Sequence, residues 1–159
     1  MKTSDKICDL GQLQTLVNRW REEGKIVFTN GCFDILHLGH VDYLEQAAAK
    51  GNRLIVGLNT DSSVKRLKGP ERPVNNEYAR ARILAALQFV DAVVLFEEDT
   101  PANLIEAVCP DVLIKGNDYT IENIIGAKFV IANGGSVETI PLVPGVSTTN
   151  ILSTIKKNK

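Results

Sequence analysis

Leu10, Leu13, Leu16, Val17 and Trp20 recur at helical spacing, which predicts an amphipathic helix over residues ~9–23, ended by Gly24. Ile26-Val27-Phe28-Thr29 is a short β-branched and aromatic run and reads as a buried strand. A loop over 30–34 follows, and Val41, Leu44, Ala47 and Ala48 then share one face of a helix over ~38–50, with Gly51 as its stop. The same alternation continues down the chain. Strands are expected at 54–58, 92–96, 111–114 and 137–140, and helices at ~77–89, after Thr100-Pro101, at ~121–133 and after Ser147. Thr100 is expected to cap the helix that Pro101 opens, and Ser147 to cap the last one. A polar stretch over ~65–76, rich in Lys, Arg, Gly and Pro, reads as a loop.

Strands alternating with helices predict βαβ units: a mainly parallel, five-stranded sheet with helices on both faces. Ligands of such sheets bind beyond the carboxyl ends of the strands, where the strand order reverses. The residues just after each strand therefore carry the chemistry.

Composition narrows the classes. The chain has 159 residues, which suits one domain, here divided into an N-terminal helix over 1–24 and an α/β core over 25–156. Net charge is −1, so the basic footprint of a nucleic-acid or anionic-membrane binder is missing. No apolar run approaches the ~20 residues of a membrane span, and the N-terminus has no apolar signal-peptide core. Cys8, Cys32 and Cys109 are scattered and odd in number, neither a disulfide framework nor a zinc pattern, so a reducing cytoplasmic setting is expected.

The chain holds two histidines, His37 and His40, three residues apart where the first strand's loop becomes a helix. At that spacing both imidazoles can share one helix face. Gly39 between them allows a close approach to the backbone. A helix N-terminus offers free N–H groups and a partial positive charge, an anion site to which two imidazoles add donors. Two isolated histidines are also compatible with a capping or core pair, or with a weak metal pair. The surrounding string decides between these: Thr29-Asn30-Gly31-Cys32-Phe33-Asp34-Ile35-Leu36-His37-Leu38-Gly39-His40. Neither a dinucleotide-binding glycine fingerprint nor a P-loop is present. A second hydroxyl-rich helix start, Ser147-Thr148-Thr149-Asn150, again suits phosphate.

The first string resembles the Gly-x-Phe-Asp and His-x-Gly-His signature of the nucleotidyltransferase superfamily, and the second its Ser-Thr-Thr segment. The likeness spans ~130 residues and implies a Rossmann-like three-layer α/β sandwich. Within the superfamily, Asn59 to Pro70, Arg72-Pro73-Val74-Asn75, Phe96 to Pro101, Lys115-Gly116-Asn117-Asp118-Tyr119 and Asn133-Gly134-Gly135 resemble the heptose 1-phosphate adenylyltransferases. That branch transfers AMP from ATP to a sugar 1-phosphate, giving ADP-heptose, a lipopolysaccharide-core precursor, and pyrophosphate. It usually has Gly where Asn117 stands. Related glycerol-3-phosphate cytidylyltransferases carry an Arg before Ser-Thr-Thr, whereas Pro141-Leu142-Val143-Pro144 has no basic residue. This disfavours the alternative of CTP with a polyol phosphate. Larger bifunctional relatives carry a sugar-kinase domain ahead of this one, so a stand-alone transferase is expected.

The resemblance implies roles residue by residue. His37, His40 and Lys68 are expected to act on the triphosphate. Asn30, Gly31, Cys32, Phe33, Asp34, Gly39, Gly116, Asp118, Ser147, Thr148 and Thr149 are expected around the nucleotide, and Arg72, Arg80 and Tyr119 around the acceptor. Cys32 is read as a packed small residue, Arg82 as a solvated one, and Asp34 as a residue that orients the loop or helps hold the metal. Mg²⁺ is expected to arrive on ATP, with no protein ligand named, and a homodimer is expected.

Overall fold

The computed structural model describes residues 2–158. A 3-10 turn over Thr3–Lys6 leads into β1 (Ile7–Cys8), and α1 covers Leu10–Trp20. Then come β2 (Ile26–Gly31), α2 (Leu38–Ala48), β3 (Arg53–Asn59), α3 (Asp61–Lys68) and α4 (Glu77–Ala86). They are followed by β4 (Ala92–Phe96), α5 (Ala102–Val108), β5 (Val112–Gly116), a 3-10 turn over Ile121–Asn123, α6 (Ala127–Ala132), β6 (Ser136–Ile140) and α7 (Thr148–Lys157). All six strands are parallel, in the order β1-β4-β3-β2-β5-β6. The order reverses at β2, so the ligand edge of the sheet lies at the carboxyl ends of β2 and its neighbours.

Period-two alternation along each strand feeds two separate cores. Ile26, Phe28, Ile55, Ala92, Val94 and Leu113 pack on one face with Leu13, Val17 and Trp20 of α1 and with Leu104, Ile105 and Val108 of α5. Val27, Leu54, Val56, Val93, Val112 and Ile114 pack on the other with Leu44 and Ala47 of α2 and Leu84 and Ala85 of α4. Two aspartates align the strand starts in the same way. The Asp111 carboxylate accepts from the Ile26 amide at 2.8 Å, and the Asp91 carboxylate accepts from the Leu54 amide at 2.8 Å. Between the second core and the ligand edge, fully buried Thr29 links β2 to Tyr43 Oη of α2 at 2.7 Å and donates to the Ile114 carbonyl at 3.1 Å.

Several expectations need correction. The sheet has six strands, not five, because Ile7–Cys8 adds an edge strand beside β4. The polar stretch is helical as far as Lys68: Thr60 caps α3 by accepting from the Ser63 amide. α4 stops at Ala86 rather than near 89. The expected helix over ~121–133 is a 3-10 turn and a shorter α6, parted at Gly126, whose φ is +84°. Pro101 is the cap position of α5, and Thr100 makes no cap bond. Among the described residues no helix is long and apolar enough to cross a membrane.

Candidate active site

The chain leaves β2 through a turn shaped by Phe33, whose φ is +44°. Its ring lies so close to Gly31 that a Cβ there would stand 2.9 Å from Phe33 Cε2. The Phe33 ring meets the His40 ring edge-on, with centroids 5.2 Å apart. His40 in turn stacks on His37, with centroids 3.8 Å apart and planes 20° from parallel. The close approach allowed by Gly39 is made by His37 itself: a Cβ at Gly39 would stand 3.0 Å from His37 Cε1.

The start of α2 differs from those of the other long helices. Asp9, Thr60, Asn76 and Ser147 each cap a helix by accepting a backbone N–H, whereas the N-cap of α2, His37, makes no side-chain cap bond. The Nδ1 atoms of His37 and His40 are buried and have no hydrogen-bond partner among the described residues. Buried polar atoms normally have partners. Helix N-termini favour anions, and the start of α2 leaves its first amides without a side-chain cap. Burial lowers the pKa of His37, and burial with the neighbouring His37 lowers that of His40 to about 4. Both rings are thus neutral near pH 7.

Asp34, 2% exposed, ties the segment after α3 to the β2 turn. Its carboxylate accepts from Arg72 Nε at 2.7 Å and from the amides of Val74 and Asn75 at 2.9 Å each. Burial works against this carboxylate, but the two amides and the Arg72 guanidinium outweigh it and hold its pKa below the ordinary value. Burial pushes the Cys32 thiol up, against the pull of Lys68, Arg80 and Arg72, so it is a thiol rather than a thiolate at neutral pH.

A cavity of about 670 Å³ opens at this edge. The β2 turn and α2 bring Asn30, Gly31, Cys32, Phe33, Asp34, His37, Gly39 and His40 to it. Lys68 and Arg72 reach it from the end of α3 and beyond, Gly116, Asp118 and Tyr119 from the end of β5, and Ser147, Thr148 and Thr149 from the start of α7. The two phosphate-suited helix starts adjoin: Thr148 Oγ1 donates to the Ile35 carbonyl at 3.5 Å.

Arg80 is a correction. Expected at the acceptor, it is 1% exposed and does not line the cavity. It donates to the carbonyls of Asn75, Cys32 and Asn59 and to Asp61 Oδ1, at 2.8–3.0 Å. These bonds make it a strut behind the cavity wall. Arg82 is exposed, as expected. Sequence reasoning assigned nothing to Lys115, which lines the cavity, or to the apolar wall of Ile124, Leu142, Val143 and Val146. A lysine ending an otherwise apolar strand was the available signal for the first.

Among the described residues no group of three or more His, Cys, Asp or Glu side chains is arranged to hold a metal ion.

Residues 28–153 match the cytidylyltransferase-like family. The chain is 57% identical over 150 residues to the bifunctional protein HldE of Methylobacillus flagellatus, covering 94% of this chain and 31% of that protein. It is 58% identical over 144 residues to HldE of Hyphomonas neptunium, covering 90% and 30%. The chain thus spans about a third of the length of these relatives. Among solved structures it is similar to the lipopolysaccharide core biosynthesis protein of Thermoplasma volcanium, with a TM-score of 0.60 and 28% identity over 76% of this chain and 97% of that one. Pantothenate synthetase of Thermus thermophilus shares the fold, with a TM-score of 0.65 and 15% identity over 96% and 70%.

Two outcomes are expected. With only two histidines in the chain, proton NMR resolves both rings. The His40 ring should stay neutral from pH 8 down to pH 5 and titrate near 4, and His37 should titrate below 6.5. Because the folded state depresses both values, the unfolded chain binds more protons below pH 6.5, so their contribution to stability is complete above that pH and falls as the pH drops toward 4. A midpoint at or above 6.5 for His40 would contradict the packing. In Arg80→Met, each buried carbonyl left unpaired costs about 1–3 kcal/mol, so urea unfolding should shift to lower denaturant.

Proposed function

The chain belongs to the cytidylyltransferase-like family, and from that premise we propose that it transfers AMP from ATP to heptose 1-phosphate, giving ADP-heptose and pyrophosphate. The observation that carries the reading is the stacked His37–His40 pair with buried, unpartnered nitrogens at the uncapped start of α2. The sugar phosphate and the adenine nucleotide are supported by the resemblance along Lys115 to Tyr119. They are also supported by the absence of a basic residue before Ser147, by identity to the HldE proteins and by likeness to a lipopolysaccharide core biosynthesis protein.

A phosphate oxygen of the acceptor attacks the α-phosphorus. The new P–O bond forms as the bond to the bridging oxygen breaks, and pyrophosphate leaves with that electron pair. The nucleophile is already anionic, so no general base is required, and catalysis is positioning and charge stabilisation. His37 and His40 donate to triphosphate oxygens as neutral imidazoles, which stabilise developing negative charge with little reorganisation. The α7 start adds Ser147 to Thr149, and Lys68 approaches the phosphates from the end of α3. Arg72 faces the acceptor while its Nε stays bonded to Asp34. Asp118 and Tyr119 line the side where nucleoside and acceptor meet. Mg²⁺, when bound, neutralises charge on the triphosphate oxygens that the two histidines hold.

The test is pyrophosphate release with ATP or CTP against heptose 1-phosphate or glycerol 3-phosphate. Turnover is expected with ATP and the heptose phosphate. Turnover with CTP and the polyol phosphate would overturn the substrate assignment and keep the chemistry. His37→Ala and His40→Ala should each lose about 10²–10³ in rate with near-native folding, and normal turnover in His40→Ala would remove the proposed role of the pair.

A further inference from the structure

Lys115 is a cavity cation that lies outside the two phosphate-suited helix starts. It is the fourth residue of β5 and is part-buried. Its Nζ donates to Asn30 Oδ1 at 2.7 Å and lies 5.7 Å from the centre of the Tyr119 ring. The arginines around the site have counter-charges, Arg72 with Asp34, Arg80 with Asp61 and Arg66 with Asp99, whereas Lys68 of the cavity forms no ion pair among the described residues. Lys115 forms no ion pair with a carboxylate among the described residues. An ammonium drawn out of water with no carboxylate in contact is costly; the Asp118 charge acts on it without forming an ion pair, and an incoming anion offsets the remaining cost.

We propose that Lys115 binds the phosphate of the acceptor, as a cation separate from those that serve the nucleotide's triphosphate. The inference rests on the adenylyl-transfer reading and deepens it. Adenylyl transfer must bring two anions together, the acceptor phosphate and the α-phosphate, and their mutual repulsion inside a cavity is large. The sheet supplies a cation on each side of β2. Lys68 comes from α3, which follows β3 on one side, and Lys115 comes from β5 on the other. The His37–His40 stack stands at the α2 start that follows β2 itself. The triphosphate thus has donors from α2 and from Lys68 of α3, while the acceptor meets Arg72 and Tyr119 and its phosphate meets Lys115.

The groups facing Lys115 are Asn30 and Cys32 from β2 and its turn, and Asp118 and Tyr119 from the segment after β5. Burial lowers its pKa to about 8, with Asp118 and Cys32 opposing. An arriving phosphate favours the charged form. At pH 8 acceptor binding therefore draws up to about half a proton from solution, by linkage.

Calorimetry tests this with two probes, inorganic phosphate and heptose 1-phosphate, each titrated at pH 8 in two buffers of different ionisation enthalpy. A saturating non-hydrolysable ATP analogue is present throughout. In Lys115→Met both probes should bind about 10–100-fold more weakly, the loss of one charged hydrogen bond, while the ATP analogue alone keeps its affinity. The wild-type proton uptake should vanish in the variant. Unchanged phosphate affinity in Lys115→Met, or an equal loss for the ATP analogue, overturns the inference. So does a Lys115→Arg protein, which keeps the charge and a donor, if it loses phosphate affinity as fully as Lys115→Met while the ATP analogue still binds. Lys115-dependent phosphate binding without pyrophosphate release from heptose 1-phosphate would instead sink the adenylyl-transfer reading and leave the phosphate site standing.

Discussion

Two imidazole rings stacked 3.8 Å apart, each with a buried nitrogen that no group among the described residues satisfies, set the terms for the rest of this structure. Rings this close cannot both carry charge at low cost, and burial disfavours charge on either one. They therefore sit neutral at the start of α2, each with hydrogen-bonding capacity in reserve. In a well-packed protein such capacity is usually taken up by a neighbour. Here the neighbours have been cleared away. Gly39 leaves room for the His37 ring, Gly31 leaves room for Phe33, and Phe33 seats its ring edge-on against His40.

Holding that arrangement is the work of polar groups behind it. Asp34 spends both carboxylate oxygens on Arg72, Val74 and Asn75, which fastens the segment after α3 to the β2 turn. Arg80 bonds the Cys32 carbonyl in the same turn and the Asn59 carbonyl at the end of β3. Thr29 and Tyr43 tie α2 to β2 underneath. The sheet order then brings the ends of β2 and β5 and the start of α7 to one cavity, so residues more than a hundred positions apart share it.

Much of this was legible in the sequence because the relevant signals are local. Four of the five longer strands carry a run of apolar residues, β6 alternates polar and apolar ones, and the starts of α4 and α7 carry a carboxamide and a hydroxyl. Ile7–Cys8 is too short to show a period, so the sixth strand escaped. α3 buries only Ser63 and Val64 and has no apolar stripe, so its polar sequence read as loop. Among the expected site residues, sixteen line the cavity and Arg80 does not. Nothing local separates an arginine that faces a ligand from one that braces a wall; burial against Cys32, Asn59 and Asp61 is a tertiary fact. Lys115 was missed for the converse reason. Its position at the end of β5 was visible, but its lack of a carboxylate partner appears only once the neighbouring strands are in place.

The central claim is that the neutral His37–His40 pair receives the triphosphate. The most direct measurement is ¹⁵N NMR of the imidazole nitrogens while a non-hydrolysable ATP analogue with Mg²⁺ is titrated in at pH 7.5. The account predicts that the nitrogens of both rings shift on saturation, with tautomer signatures that stay those of neutral imidazole. Saturation by the analogue with both sets of resonances unmoved, or with either ring becoming imidazolium, would contradict it.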